Sequence, residues 1–131
     1  MRFCTVINCM DGRVQLPVIH YLKKRFNADY VDTITDAGPN LILAKQMNKP
    51  SVDAILQKVK ISIEKHQSTA IAIVGHYDCA GNPALKPDQN YHTRQAMNVI
   101  RKHYENIEVI GLWVDDNFDV FEIGDEKEKD L

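Results

Sequence analysis

The sequence contains no apolar run near the roughly 20 residues that a membrane-spanning helix needs, so no such helix is expected. Its first residues lack the charged, apolar, small-residue order of a secretory signal. A basic excess is missing too: 16 Lys and Arg stand against 18 Asp and Glu, giving a net charge of −2. Without that excess, and without interleaved aromatic and basic residues, a nucleic-acid surface is not expected. Cysteine is scarce, and its count of three is odd, which argues against a disulfide framework. These absences point to a cytoplasmic protein whose cysteines are free for metal binding or thiol chemistry. Neither an internal repeat nor a linker divides the chain.

The chain has 131 residues, of which 44% are hydrophobic and 26% charged. This is enough for one domain burying roughly two thirds of the surface its unfolded chain exposes. The apolar, β-branched run over 3–8 predicts a first strand. Pro17 suits a first helical turn, and Val18, Ile19, Leu22 and Phe26 follow at helical spacing over 17–26. A second strand is predicted over 30–35, a turn over 36–40 and a short helix over 41–48. Ser51, after Pro50, is the expected N-cap of a helix reaching residue 66. Its stripe is Val52, Ile55, Leu56, Val59 and Ile63. Residues 69–75 are nearly all small or branched and apolar, the pattern of a strand buried on both faces. Residues 81–90, with Pro83 and Pro87, are expected to form a loop, residues 95–104 a helix and 107–114 a further buried strand. A turn over 115–117 then leads to a final strand over 118–123, antiparallel to its neighbour. The expected fold is a single α/β domain over residues 1–123, followed by a charged tail over 124–131. Its central sheet is mostly parallel, in the order 2-1-3-4 with an antiparallel final strand, and is joined by right-handed crossovers and flanked by helices.

Two segments carry the chemistry. Cys9-Met10-Asp11-Gly12-Arg13 follows the first strand, and His76-Tyr77-Asp78-Cys79 follows the third. Open α/β sheets bind ligands beyond the carboxyl ends of their strands, where strand order reverses. If strands one and three are neighbours, Cys9, His76 and Cys79 converge there. Thiolates and imidazole suit zinc, and a catalytic zinc keeps three protein ligands and one open position. Zinc lowers the pKa of a bound water to near 7. Asp11 then either accepts a hydrogen bond from that water or takes the fourth zinc position itself. Arg13 offers a planar fork to hold Asp11 bidentately, with Gly12 easing the turn between them.

Cys9-x-Asp11-x-Arg13 followed by Gly75-His76-x-x-Cys79 resembles the signature of the β-class carbonic anhydrases. Ala37-Gly38 is similar to the Ala-Gly of that family's Arg-Asn-Ala-Gly-Asn loop, and the late strand-turn-strand also matches. The resemblance covers about residues 3–123. It implies a zinc cofactor on Cys9, His76 and Cys79, with Asp11 and Arg13 as the catalytic pair. The implied reaction is reversible hydration of carbon dioxide to bicarbonate by a lyase, and the implied assembly is a homodimer. Carbonyl sulfide and carbon disulfide are further small electrophiles of the same kind. The alternative is a zinc-binding structural or regulatory domain without turnover. Several positions depart from the family. Thr35, Asp36 and Pro39 stand where it has Arg, Asn and Asn, and Ala80 stands where glycine commonly follows the second cysteine. Asn82-Pro83 replaces a run of small residues. The family's N-terminal helices and glutamine-bearing segment have no counterpart in this sequence.

Other candidates have plainer readings. Cys4, inside the first strand, is expected in the core, and Trp113 in sheet packing. Asp78 is expected to cap the helix after it. His20, His66, His92 and His103 are expected at the surface, with Tyr91 and His92 in the loop nearest the site.

Overall fold

The structure is a computed structural model, and it describes residues 1–124. The charged tail expected over 124–131 therefore falls, from residue 125 onward, outside the described residues. Strand β1 (Phe3–Cys9) leads through a 3-10 turn at Gly12–Val14 into helix α1 (Gln15–Arg25). Strand β2 (Tyr30–Asp36), helices α2 (Pro39–Lys45) and α3 (Lys49–His66) and strand β3 (Ala70–His76) follow. Helix α4 (Lys86–His103) and strands β4 (Glu108–Val114) and β5 (Val120–Ile123) complete the domain.

The five strands form one sheet in the order β2-β1-β3-β4-β5, with only β5 antiparallel to its neighbour. The expected order and strand directions are thus observed. Side chains alternate between the two faces of each strand, and the core divides accordingly. On one face Cys4, Val6, Ala72, Val74, Ile110 and Leu112 meet Val18 and Leu22 of α1 and Phe26 at its C-terminal cap. On the other, Ile7, Ile34, Ile71 and Ile73 meet Leu43 of α2, Val52, Ile55 and Val59 of α3 and Met97 and Ile100 of α4. Every residue of β3 is buried, because helices cover both of its faces. Each fully buried Ile, Leu or Val contributes about 1.5–3 kcal/mol relative to an exposed one. Among the described residues no helix is long and apolar enough to cross a membrane.

Several boundaries differ from expectation. Helix α4 begins at Lys86, inside the segment expected to be a loop. Pro87 lies in its first turn, where the missing N–H costs nothing. Burial of Gln89, Thr93, Ala96, Met97 and Ile100 supplies the helical stripe. Ser51 is not the N-cap of α3: the Asn48 side chain accepts the Ser51 N–H at 3.2 Å, and Pro50 falls inside the first turn. Helix α2 starts earlier, at Pro39, and stops at Lys45 because Gln46 adopts a left-handed cap with φ 57°. β5 starts later, since Asp115 Oδ1 accepts the N–H groups of Asn117 and Asp119 and holds those residues in the turn.

Candidate metal centre

The sheet parts at one end. Pairing of β1 with β2 runs to Cys9 and Asp36, and pairing of β3 with β4 runs to His76 and Val114. Between β1 and β3 the ladder stops earlier, at Ile7 and Ile73. The chain therefore leaves the carboxyl ends of two diverging central strands, with Cys9 on one arm and His76 and Cys79 on the other. Across this gap the three residues bring one ligand atom each to within 4.8 Å of one another, and all three are buried. Among the described residues this is the group that could hold a metal ion.

Its electrostatics follow from the close sulfurs. Cys9 Sγ and Cys79 Sγ lie 3.8 Å apart. The bond from Cys79 pulls the Cys9 thiol well below its ordinary pKa against the opposing effect of burial, and His76 and the backbone N–H groups of Gly38 and Asp11 add to the pull. Cys79 moves the other way, because it donates to Cys9 and is itself buried. The Asn82 N–H donates to Cys79 Sγ at 3.3 Å. A bound cation would hold both sulfurs as thiolates.

His76 is only 2% exposed. Burial opposes a charge on its ring, yet the Cys9 thiolate and the Tyr77 carbonyl outweigh burial and leave its pKa raised. Nδ1 lies 2.8 Å from the Tyr77 carbonyl oxygen, the usual outward bond of a metal-binding imidazole. Nε2, by contrast, is buried and has no hydrogen-bond partner. An unpaired buried polar atom costs about 1–3 kcal/mol, and a cation beside two thiols would remove that cost. Two sulfurs, one free imidazole nitrogen and this geometry fit a thiophilic divalent ion such as zinc.

Asp11 and Arg13 form the expected bidentate pair. Arg13 Nη2 donates to Asp11 Oδ2 at 2.7 Å and Nε donates to Oδ1 at 3.1 Å. The Arg13 backbone N–H adds a third bond to Oδ1 at 2.9 Å. Arg13 accordingly holds the Asp11 carboxyl down at a pKa of about 2. Gly12 has open space around it and no positive φ, so the turn does not draw on the conformational freedom expected to ease it. Asp78 does not cap the next helix, which starts at Lys86 behind an N-cap at Leu85. Its side chain lies 3.4 Å from Arg13 Nη1, and its carbonyl accepts from Nη2 at 3.1 Å. Arg13 thereby links both arms of the site.

A second link is backbone against backbone. Gly38 takes φ 61°, and a Cβ there would sit 2.6 Å from the carbonyl carbon of Gly81. On Gly81 a Cβ would sit 2.4 Å from the carbonyl carbon of Ala37. This contact seats the β2–α2 loop against the loop that carries Cys79.

Sequence reasoning missed the polar residues that support the centre. Gln15 Nε2 donates to the carbonyls of Cys9 and Asp11 at 2.7 and 3.0 Å. Asn40, Asn82, Gln89 and Thr93 are buried together behind His76. The i, i+4 spacing of Gln89 and Thr93, in register with Met97 and Ile100, was the available signal. The plainer readings hold for Cys4 and Trp113, which are buried. His20, His66 and His103 are exposed. His92 is partly buried, with Nδ1 3.1 Å from the Asn82 side-chain nitrogen.

Residues 1–124 match the sequence model of a family described as "Putative carbonic anhydrase". Among solved structures, the chain is similar to a carbonic anhydrase from Streptococcus mutans, with TM-score 0.64 and 17% identity over 92% of this chain and 81% of that one. It is also similar to a tetrameric β-carbonic anhydrase from Sordaria macrospora, with TM-score 0.58 and 12% identity over 92% and 80% of the two chains. Among curated proteins none matches the sequence.

Proposed function

The chain belongs to the carbonic anhydrase family whose sequence model it matches, and on that premise we propose that it is a zinc-dependent lyase hydrating carbon dioxide reversibly. One observation carries the zinc reading: the buried, unpartnered Nε2 of His76 belongs to a residue clustered with two cysteine sulfurs. On this reading Cys9, His76 and Cys79 hold the ion. Zinc with three protein ligands lowers the pKa of a water in its open position to near 7.

The remaining roles fall to this chain's own groups. Asp11 is not among the residues clustered as ligands, which supports its standing beside the open position as a hydrogen-bond acceptor. Its carboxylate stays ionised because Arg13 holds it, so it can orient the attacking nucleophile's lone pair at any neutral pH. Arg13 fixes the carboxylate plane through two bonds and ties it to the Asp78 carbonyl. The sulfurs and the imidazole that would hold the ion are themselves buried away from bulk water. Carbonyl sulfide and carbon disulfide present a similar electrophilic carbon and belong in the same assay. A homodimer is proposed on the resemblance, and its test is the solution mass.

The test combines metal analysis with stopped-flow carbon dioxide hydration across pH. Stoichiometric zinc with a rate rising through neutral pH is the expected result. Stoichiometric zinc without hydration of any of the three substrates leaves a zinc-binding domain without turnover. Absence of zinc affinity overturns both readings.

A further inference from the structure

His76 is held by more than its own strand. Just past β3, the Tyr77 N–H bonds the Val114 carbonyl of β4 at 2.9 Å. Successive residues of a strand point their backbone groups to opposite sides, so the N–H and C=O of His76 face away from β4, toward β1. There the β1–β3 ladder has already ended. The Gln89 side chain fills the vacated place. Its Oε1 accepts the His76 N–H at 3.1 Å, and its Nε2 donates to the His76 carbonyl at 2.7 Å. One carboxamide thus stands in for the missing strand.

The same amide reaches the other ligand on that arm. Gln89 Nε2 also lies 3.1 Å from the Asn82 carbonyl and 3.2 Å from that of Ala84. Asn82 is the residue whose N–H bonds Cys79 Sγ. Gln89 itself is fully buried. Room for it comes from Gly75: a Cβ there would lie 2.9 Å from Gln89 Oε1, 2.8 Å from Asn40 Nδ2 and 3.1 Å from Thr93 Oγ1. Asn40 and Thr93 are bonded to each other at 3.1 Å and wall the amide in from the side.

We infer that Gln89 is a positioning residue for the metal centre, setting the spacing of His76 and Cys79 by bonding the backbone on either side of them. This rests on the zinc reading above, and it assigns a role that the ligand set alone does not contain. Outer residues that orient metal ligands typically contribute 10–100-fold in metal affinity, and Gln89 falls in that range by acting on two ligands at once.

The experiment compares Gln89→Met, which conserves volume but carries no amide, with Ser62→Ala. Ser62 is buried in a separate hydroxyl cluster with Thr5 and Ser68 on α3's side of the sheet, so its loss lowers stability without touching the centre. Zinc affinity is read by chelator competition, and ligand geometry by the visible spectrum of the cobalt-loaded protein. Gln89→Met should weaken zinc binding roughly 10–100-fold and shift the cobalt bands, with Ser62→Ala matching wild type in both. Should Gln89→Met fail to fold, Gln89→Glu keeps the acceptor for the His76 N–H and loses the donor, and the same two shifts are expected. A folded Gln89 variant with wild-type zinc affinity and cobalt spectrum overturns the inference while leaving the zinc reading intact. Equal weakening in Ser62→Ala also overturns it, since the effect would then be one of general stability. A wild-type chain that binds neither zinc nor cobalt overturns the zinc reading and this inference together.

Discussion

The two arms of the centre are built in different ways. The Cys9 arm is held locally and near the surface. Asn8 Oδ1 accepts the Cys9 N–H, Asp11 and Arg13 pair two residues apart, and Gln15 ties down two carbonyls. Arg13 remains 46% exposed. The His76–Cys79 arm is held from a distance by buried groups of α2 and α4. An exposed local arm can present charge to a substrate and adjust at little cost. A buried arm fixes geometry, because each unmatched polar group inside it is penalised. The chemistry proposed for the site divides in the same way, with orientation of the nucleophile on the first arm and fixation of the metal on the second.

The sharpest break in this contrast is Cys79→Ser. It removes a proposed ligand from the rigid arm and should reduce bound zinc to background by metal analysis, with the fold retained by circular dichroism. On the opposite arm, Asp11→Asn should leave zinc content unchanged and lower the hydration rate by roughly 10²-fold or more, the usual scale for a positioned acid-base group. Loss of zinc in Asp11→Asn would erase the distinction between the arms. Gly81→Ala strikes the seam where the two arms touch. The new Cβ would sit 2.4 Å from a backbone carbon, and overpacking of this kind costs about 1–3 kcal/mol by urea unfolding.

The smallest effect concerns pH. Asp11 ionises near 2 in the fold against 3.8 in the ordinary group. Its depressed pKa makes the Arg13 pair stabilising above pH 3.8, with that contribution lost as pH falls through 2. The pair is exposed, so unfolding curves should hardly register it. The carboxyl carbon shift of Asp11 by NMR should nonetheless titrate near pH 2 and return toward 3.8 in Arg13→Gln.

The first arm, apart from Gln15, was legible in the sequence because the contacts within it join residues one to six positions apart. Cys9, Asp11 and Arg13 form a motif that any reader of the chain meets whole. The strands were legible as well, since β3 reads as a nearly unbroken apolar run, β1 as a shorter one, and β2 as a more polar segment carrying Val31, Thr33, Ile34 and Thr35. The second arm was only half legible. His76 and Cys79 are visible as a motif, but their support arrives from residues 40, 82, 89 and 93. Two prolines gave the segment holding Gln89 a loop-like composition, yet one of them sits in the opening turn of α4. The spacing of Gln89 and Thr93 with Met97 and Ile100 marks a buried stripe, but nothing local says what the amide would bond. Only the three-dimensional approach of α4 to the end of β3, through the space left by Gly75, gives it a place.

The parting of β1 from β3 has a thermodynamic consequence. Cys9 and Cys79 are 70 residues apart in the chain and sit on prongs with no shared ladder beyond Ile7 and Ile73. On the proposed metal site, an ion bridging them is a cross-link that exists only in the folded state. Folding and loading are then one linked equilibrium. Once free zinc exceeds the dissociation constant, each further tenfold adds about 1.4 kcal/mol to stability. A chelator titration on this protein should therefore lower its unfolding midpoint step by step, down to that of the metal-free fold.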